Sequence, residues 1–158
     1  MYIGVIGQSQ CNEEIASIAE EVGELIARNG AVMICGGMGG VMEAASRGAR
    51  SAGGVTIGIL PGFSREEANS YISISIPTGL GPARNLIIVR ASDVLIAISG
   101  GYGTLTEIAF ALHFGKPVIG LYTWGLNREG KDLQDIMIVR TPREAVSKAM
   151  ELIKDNRQ

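Results

Sequence analysis

Apolar residues follow two patterns along this chain, short continuous runs and longer stretches with one apolar face. Continuous runs predict buried strands of a parallel sheet over residues 2–6, 31–35, 55–60, 93–98 and 117–122. Apolar residues that recur every three or four positions predict helices over 12–30, 41–52, 83–91, 108–114 and 141–153. Segment 73–76 alternates polar and apolar residues, as an edge strand does. Strands that alternate with helices throughout predict an α/β fold, a single doubly wound, mostly parallel sheet flanked by helices.

One strand-to-helix junction has the composition of a phosphate-binding turn. The run 93–98 is followed by Ser-Gly-Gly-Tyr-Gly-Thr, the second glycine-rich turn (residues 99–104), and then by Leu-Thr-Glu. Glycines expose successive backbone N–H groups, and the helix after them directs its positive end to the same place. We expect Glu107 to lie about one helical turn further on, within reach of the group that carries the phosphate. The residues expected to hold the phosphate are Ser99, Gly100, Gly101, Tyr102, Gly103 and Thr104.

A shorter copy of this junction occurs earlier in the chain. Residues 34–45 align with residues 98–109 and match at six of 12 positions, including both glutamates, Glu43 and Glu107. Because the carboxyl ends of parallel strands share one edge of a sheet, we expect two anion-binding turns at that edge. The first glycine-rich turn (residues 36–40) adds four expected ligand-binding residues, Gly36, Gly37, Gly39 and Gly40.

Length, charge and cysteine content exclude several classes of function. A chain of 158 residues with 46% hydrophobic content predicts one domain over residues 1–158. A net charge of −2 gives no field for binding nucleic acid or an anionic membrane surface. No apolar run is long enough to span a bilayer, and the chain does not begin with a basic leader, so we expect a cytoplasmic protein. The two cysteines and the single histidine, His113, lack metal-ligand spacing, and we expect no metal site.

The motifs also narrow the kind of phosphate binding. The first strand-to-helix turn lacks the G-x-G-x-x-G pattern of dinucleotide sites, and neither glycine-rich turn has the lysine of a P-loop. Nucleotide-driven phosphoryl transfer is therefore not expected. Arg84 follows Gly-Pro at a predicted helix start, where the helix dipole disfavours a cation by some tenths of a kcal/mol unless an anion is close. A bound phosphate or a carboxylate would supply that anion, and a solvated arginine on a loop is the alternative.

Residues 100–107, Gly-Gly-Tyr-Gly-Thr-Leu-Thr-Glu, resemble the PGGxGTxxE motif of the Lonely Guy family. These are the cytokinin-activating nucleoside 5′-monophosphate phosphoribohydrolases, often mislabelled lysine decarboxylases. Residues 83–85 and 35–42 resemble the family's arginine-containing and earlier glycine-rich segments, so the likeness covers roughly residues 1–121. The resemblance implies a Rossmann-like fold, catalytic roles for Arg84 and Glu107, and a homodimer or homotetramer. The decarboxylase label has no support, because nothing around Lys116 indicates a pyridoxal site.

Two departures from the motif leave the activity open. Ser99 replaces the motif's proline, and Asn85 stands where a lysine is usual. These details resemble a side branch that includes molybdenum-cofactor carrier proteins and is related to DNA processing protein A. The residues therefore predict a protein that binds a nucleoside monophosphate or a similar phosphorylated small molecule and that either hydrolyses the N-glycosidic bond or carries its ligand unchanged. No cofactor is required in either case, and a bound nucleotide or molybdenum cofactor is the expected ligand.

Overall fold

The computed structural model describes residues 1–155. Over this range the strands β1 to β9 are Tyr2–Gly7, Val32–Cys35, Thr56–Leu60, Ile74–Pro77, Val94–Ile98, Val118–Leu121, Leu126–Arg128, Lys131–Leu133 and Ile136–Ile138. The helices α1 to α5 are Glu13–Arg28, Val41–Ser51, Asn85–Ala91, Tyr102–His113 and Pro142–Asp155. None of these helices is long and apolar enough to cross a bilayer.

Seven strands form one sheet in the order β4-β3-β2-β1-β5-β6-β9, and every pair in it is parallel. This confirms the predicted doubly wound α/β fold. The strand order reverses at β1, which pairs with β2 on one side and with β5 on the other. Parallel sheets bind ligands at the carboxyl ends of the strands that flank such a reversal. Both glycine-rich turns leave the sheet there, one after β2 and one after β5, so the prediction that they share one edge is confirmed.

Helices cover both faces of the sheet, and the strands supply apolar side chains to each. Helices α1, α2 and α5 enclose one core with Ile96 and Ile98, and α3 and α4 enclose the other with Leu95 and Ala97. This alternation along β5 follows from the period of two in a strand. The crossing of α1 and α2 is tight, because a side chain at Gly48 would overlap the backbone of α1. Burial on both faces fixes the positions of the strand ends that carry the site.

The structure differs from the sequence prediction in four places. Strand β9 was not predicted, and the turn-rich stretch 123–133 contains the antiparallel hairpin β7–β8. Helix α3 begins at Asn85 rather than residue 83, because the preceding segment Gly81–Arg84 forms a 3₁₀ turn with its proline at the start. Helix α4 begins at Tyr102, directly after Gly101, and not at residue 108. The earlier start places Glu107 more than one turn inside the helix.

Candidate functional site

A cavity of about 280 Å³ opens at the carboxyl end of β1, between the β1–α1 loop and the second glycine-rich turn. The 3₁₀ turn before α3 and the first glycine-rich turn close its other sides. Its position is the one expected for a ligand site at a strand-order reversal. The lining residues are Val5, Ile6, Gly7, Gln8, Ser9, Gly36, Met42, Arg84, Asn85, Gly101, Gly103, Thr104 and Glu107.

The amino terminus of α4 forms one wall of the cavity. Gly101 caps the helix without a side-chain hydrogen bond, and the first backbone bond into the helix runs from the Leu105 N–H to the Gly101 carbonyl. The N–H groups of residues 102–104 therefore lack a helical acceptor. Apart from its chain neighbours and the backbone of α4, no heavy atom of the described chain lies within 4 Å of where a Cβ at Gly101 or Gly103 would be, so the backbone is open to a ligand there. This wall can bind an anion through N–H groups and the helix dipole.

The neighbouring strands hold the second glycine-rich turn in place. Ser99 has a left-handed backbone (φ 52°), and its N–H donates to the Leu121 carbonyl at 2.9 Å. Its carbonyl accepts from the Thr123 hydroxyl, and its own hydroxyl accepts from the Gln8 side-chain amide at 3.3 Å. Gly100 follows with φ 123°, a conformation open to glycine almost alone. The turn is thus fixed from β6 and from the β1–α1 loop before any ligand binds.

Arg84 is a buried cation with an unsatisfied hydrogen-bond donor. The residue is 9% exposed, and its Nε atom is buried without a hydrogen bond within the described chain. The guanidinium lies against the backbone of Gly36, where any side chain would overlap its Nη1 atom. Burial lowers the pKa of Arg84, and the charges of Glu107 and Cys35 offset part of that effect. A buried arginine that remains charged without a partner requires an anion or an acceptor from elsewhere.

Glu107 faces the same cavity from α4. It is 6% exposed, and no hydrogen bond or ion pair to its carboxyl occurs among the residues that the structure describes. Burial raises the pKa of Glu107 to about 8, and the charge of Arg84 opposes the rise. The two side chains interact electrostatically but are not in contact as an ion pair. Two buried ionisable side chains with perturbed pKa values that share a cavity mark it as a candidate functional site.

The first glycine-rich turn packs mainly against the protein itself. A Cβ at Gly37 would lie 2.8 Å from the Leu60 side chain, and one at Gly40 would overlap the Gln8 carbonyl. Both glycines have positive φ values, 74° and 62°. A Cβ at Gly39 would lie 3.1 Å from the Ser9 carbonyl oxygen, in the β1–α1 loop. Close backbone packing thus accounts for these three glycines.

The structure brings together six of the twelve predicted site residues and leaves six outside the cavity lining. Those that line it are Gly36, Arg84, Gly101, Gly103, Thr104 and Glu107, and those that do not are Gly37, Gly39, Gly40, Ser99, Gly100 and Tyr102. Glu43, the counterpart of Glu107 in the sequence repeat, is half-buried and also lies outside the lining. In the described range no three His, Cys, Asp or Glu side chains are placed to hold a metal ion.

Seven lining residues were not predicted as site residues: Val5, Ile6, Gly7, Gln8, Ser9, Met42 and Asn85. Gln8 and Ser9 could have been predicted from the sequence, because they directly follow the first strand and ligands bind in the loops after parallel strands. Met42 is the second residue of α2, and the sequence placed it only in a predicted helix and in the segment that resembles the family's earlier glycine-rich motif.

The family model for the SLOG cluster4 family matches residues 1–146. The chain belongs to the SLOG cluster4 family. One relative of this chain, an uncharacterized protein from Archaeoglobus fulgidus, is 48% identical to it over 147 residues, which are 93% of each chain. A second is the cytokinin riboside 5′-monophosphate phosphoribohydrolase of Mycobacterium tuberculosis. It is 35% identical over 127 residues, 74% of this chain and 67% of that protein.

Solved structures resemble this SLOG cluster4 protein over nearly its whole length. The molybdenum cofactor binding protein of Rippkaea orientalis is 38% identical with a TM-score of 0.86, and the match covers 96% of each chain. The molybdenum cofactor carrier protein of Chlamydomonas reinhardtii is 36% identical with a TM-score of 0.85, over 97% of this chain and 98% of that one. DNA processing protein A from Helicobacter pylori, at 20% identity and a TM-score of 0.70, shares the fold.

Proposed function

We propose that this SLOG cluster4 protein binds a nucleoside 5′-monophosphate in the cavity beside β1 and hydrolyses its N-glycosidic bond. One observation carries the proposal. Arg84 and Glu107 are both buried, neither has a hydrogen-bonding partner in the described chain, and both face a cavity that also receives the amino terminus of α4. Buried ionisable groups are costly to the fold, so their presence in a cavity points to a ligand.

The phosphate is placed at the amino terminus of α4. The N–H groups of residues 102–104 and the open backbone at Gly101 and Gly103 give it hydrogen-bond donors, and the helix dipole favours its charge. Arg84 adds a guanidinium that binds either the phosphate or the departing base. The site needs no metal in this assignment, because N–H groups and one arginine supply the positive potential.

Glu107 is placed beside the ribose. Hydrolysis of an N-glycosidic bond passes through a ribose with oxocarbenium character, and a carboxylate close to the ring opposes the growing positive charge. The same carboxylate can accept hydrogen bonds from the ribose hydroxyls and orient a water molecule toward the anomeric carbon. Only the ionised form acts in this way. Because the pKa of Glu107 is about 8, we expect kcat/KM to rise as pH increases from 6 to 8.

A second candidate function is a carrier that binds a phosphorylated pterin, the molybdenum cofactor, without consuming it. The observation in its favour is the whole-chain likeness to a molybdenum cofactor binding protein and to a molybdenum cofactor carrier. The phosphate of such a cargo fits the same donors at α4, and the unpaired guanidinium of Arg84 fits its acceptor atoms. Both candidates therefore use one phosphate position and differ in whether the ligand is turned over.

Incubation with adenosine 5′-monophosphate tests the proposal directly. We expect free adenine and ribose 5-phosphate by chromatography, with the rate reduced at least 100-fold in Glu107→Gln, in line with the loss of an acid–base group. Glu43→Gln is the matched control, because this glutamate occupies the equivalent repeat position outside the cavity. Intact nucleotide after long incubation, together with a co-purified phosphorylated pterin in mass spectrometry, would favour the carrier. Equal rates for Glu107→Gln and the parent would refute the role of Glu107.

We further propose that the protein acts in the cytoplasm as a homodimer or homotetramer, with a small phosphorylated molecule rather than nucleic acid as its partner. A net charge of −2 gives no positive field that would attract nucleic acid, and this supports a small molecule as the partner. Light scattering of the purified protein tests the assembly, and a monomeric mass at micromolar concentration would refute it.

A further inference from the structure

Two aromatic side chains, one exposed and one half-buried, stand at the rim of the cavity. Tyr102 is the first residue of α4 and lies between two cavity-lining glycines, yet its side chain is 81% exposed. Its ring lies 5.9 Å from the ring of Trp124, with 33° between the two planes. An aromatic face exposed to this degree beside the cavity gains free energy when a planar ring covers it.

The position of Trp124 is tied to the phosphate-binding wall. Its indole N–H donates to the Gly101 carbonyl at 3.3 Å, and the part of the ring system that is buried packs against the core beneath α4. Trp124 follows Thr123, whose hydroxyl binds the Ser99 carbonyl. The aromatic pair is therefore fixed to the same turn that presents the N–H groups of α4.

The cavity is at the small end of ligand pockets. Its volume of about 280 Å³ is close to the lower bound of the range of roughly 300–1,000 Å³ typical of pockets that bury drug-sized ligands. We place the ribose phosphate inside it, against Glu107 and the amino terminus of α4. The ring system attached to the sugar is then left at the mouth, where the aromatic pair stands.

The stereochemistry of a β-nucleotide also directs the base toward the cavity rim. The base and the 5′-phosphate project from one face of the ribose, and the 2′- and 3′-hydroxyls project from the other. With the hydroxyls turned inward to Glu107 and the phosphate at the amino terminus of α4, the base is directed outward to the rim. Water positioned by Glu107 then reaches the anomeric carbon from the face opposite the base.

We propose that Tyr102 and Trp124 form a stacking surface for the heteroaromatic ring of the phosphorylated ligand. This assignment rests on the proposed function, since it presumes that a phosphate occupies the amino terminus of α4. The contact is with the π-face of the ring, so it selects for a planar ring system and does not distinguish one base from another. Polar groups within the cavity bind the sugar and the phosphate.

Paired titrations with adenosine 5′-monophosphate and ribose 5-phosphate separate the ring from the sugar phosphate. Trp124 is the only tryptophan in the chain, so its intrinsic fluorescence reports on the stacking surface itself. We expect quenching by the nucleotide and not by ribose 5-phosphate, in stopped-flow mixing too brief for turnover. Tyr102→Ala should weaken nucleotide binding by about five- to 150-fold, the range measured for loss of one base-stacking aromatic. The affinity for ribose 5-phosphate should stay within about twofold.

Two control variants keep the result interpretable. Tyr102→Phe retains the stacking face and should bind the nucleotide as the parent does. Tyr2→Ala removes an aromatic ring at the opposite end of the sheet and should change neither affinity. If Tyr102→Ala leaves both affinities unchanged, or the parent binds both ligands equally, the stacking surface is refuted while the proposed function stands. If the parent binds neither ligand, the proposed function fails and the stacking surface with it.

Discussion

Replacing Glu107 by glutamine should make the protein more stable at neutral and alkaline pH. Burial raises the pKa of this carboxyl from 4.5 to about 8 in the folded protein. An acid with a raised pKa holds its proton more tightly when folded, so its contribution to stability is complete below pH 4.5 and is lost as pH rises through 8. At ~1.4 kcal/mol per pH unit, the interval between these two values corresponds to about 5 kcal/mol. Glutamine keeps the shape of the neutral acid and cannot ionise.

Urea unfolding of the parent and of Glu107→Gln at pH 5, 6, 7 and 8 measures this effect. Other titrating groups are common to both proteins, so the difference between them isolates Glu107. We expect that difference to grow by about 3 to 4 kcal/mol in favour of the variant between pH 5 and pH 8. A difference that stays constant across this range would refute the reasoning, because it would show that the Glu107 carboxyl titrates alike in both states.

The same comparison in a protein that already carries Arg84→Met gives a second test of the Glu107 titration. The charge of Arg84 lowers the pKa of Glu107, so an Arg84→Met background should raise that pKa further. The stability gain from Glu107→Gln should then keep growing to a higher pH, whereas in the parent it levels off above about pH 8. An unchanged pH profile in this background would show that the two side chains do not share a cavity in solution.

The remaining predictions concern Arg84 and the glycines. Arg84→Met should raise the free energy of unfolding by about 1 kcal/mol or more, since it removes a buried unpaired charge, while calorimetry shows loss of ribose 5-phosphate binding; a less stable variant would contradict this account. Gly36→Ala should displace the Arg84 guanidinium and weaken that binding about tenfold, because hydrogen bonds to charged groups are strong; unchanged affinity would show that the contact is unimportant. Gly103→Ala places a methyl group in the cavity wall, so ribose 5-phosphate should bind more weakly, although the fold gains up to ~1 kcal/mol in helix propensity. Gly125→Ala is the control, because a Cβ there also meets open space but lies outside the cavity lining, and this variant should bind ribose 5-phosphate as the parent does. Gly48→Ala should cost about 2 kcal/mol or more through overpacking at the α1–α2 crossing, and a melting temperature equal to the parent's would refute that close packing.

Hydrophobic periodicity was sufficient to predict most of the fold. Continuous apolar runs predicted the strands of the parallel sheet because both faces of each central strand are covered by helices. The segments that it missed are those with little buried surface. Strand β9 and the hairpin β7–β8 have only three residues each, too few to show a period.

The second glycine-rich turn was predicted correctly as an open turn at a helix start, because glycine spacing and a following helix are local properties. The first turn has a similar sequence, yet Gly37, Gly39 and Gly40 pack against β3 and the β1–α1 loop, and Gly36 alone of its glycines lines the cavity. Sequence similarity between the two turns did not reveal this difference. It depends on which neighbouring segments lie behind each turn.

The sequence by itself determined the sheet, most of its helices, and the edge at which the glycine-rich turns meet, because period and glycine content act over a few residues. The tertiary structure alone decided that Arg84 and Glu107 face one cavity without pairing to the described residues, that Gln8 donates a hydrogen bond to Ser99, and that Glu43 lies outside the cavity lining. The physical reason is that burial, and with it the cost of an unpaired charge, is set by segments distant in the chain. The burial and pairing of a charged residue cannot be read from the sequence, because they depend on the segments that the strands at the order reversal bring together.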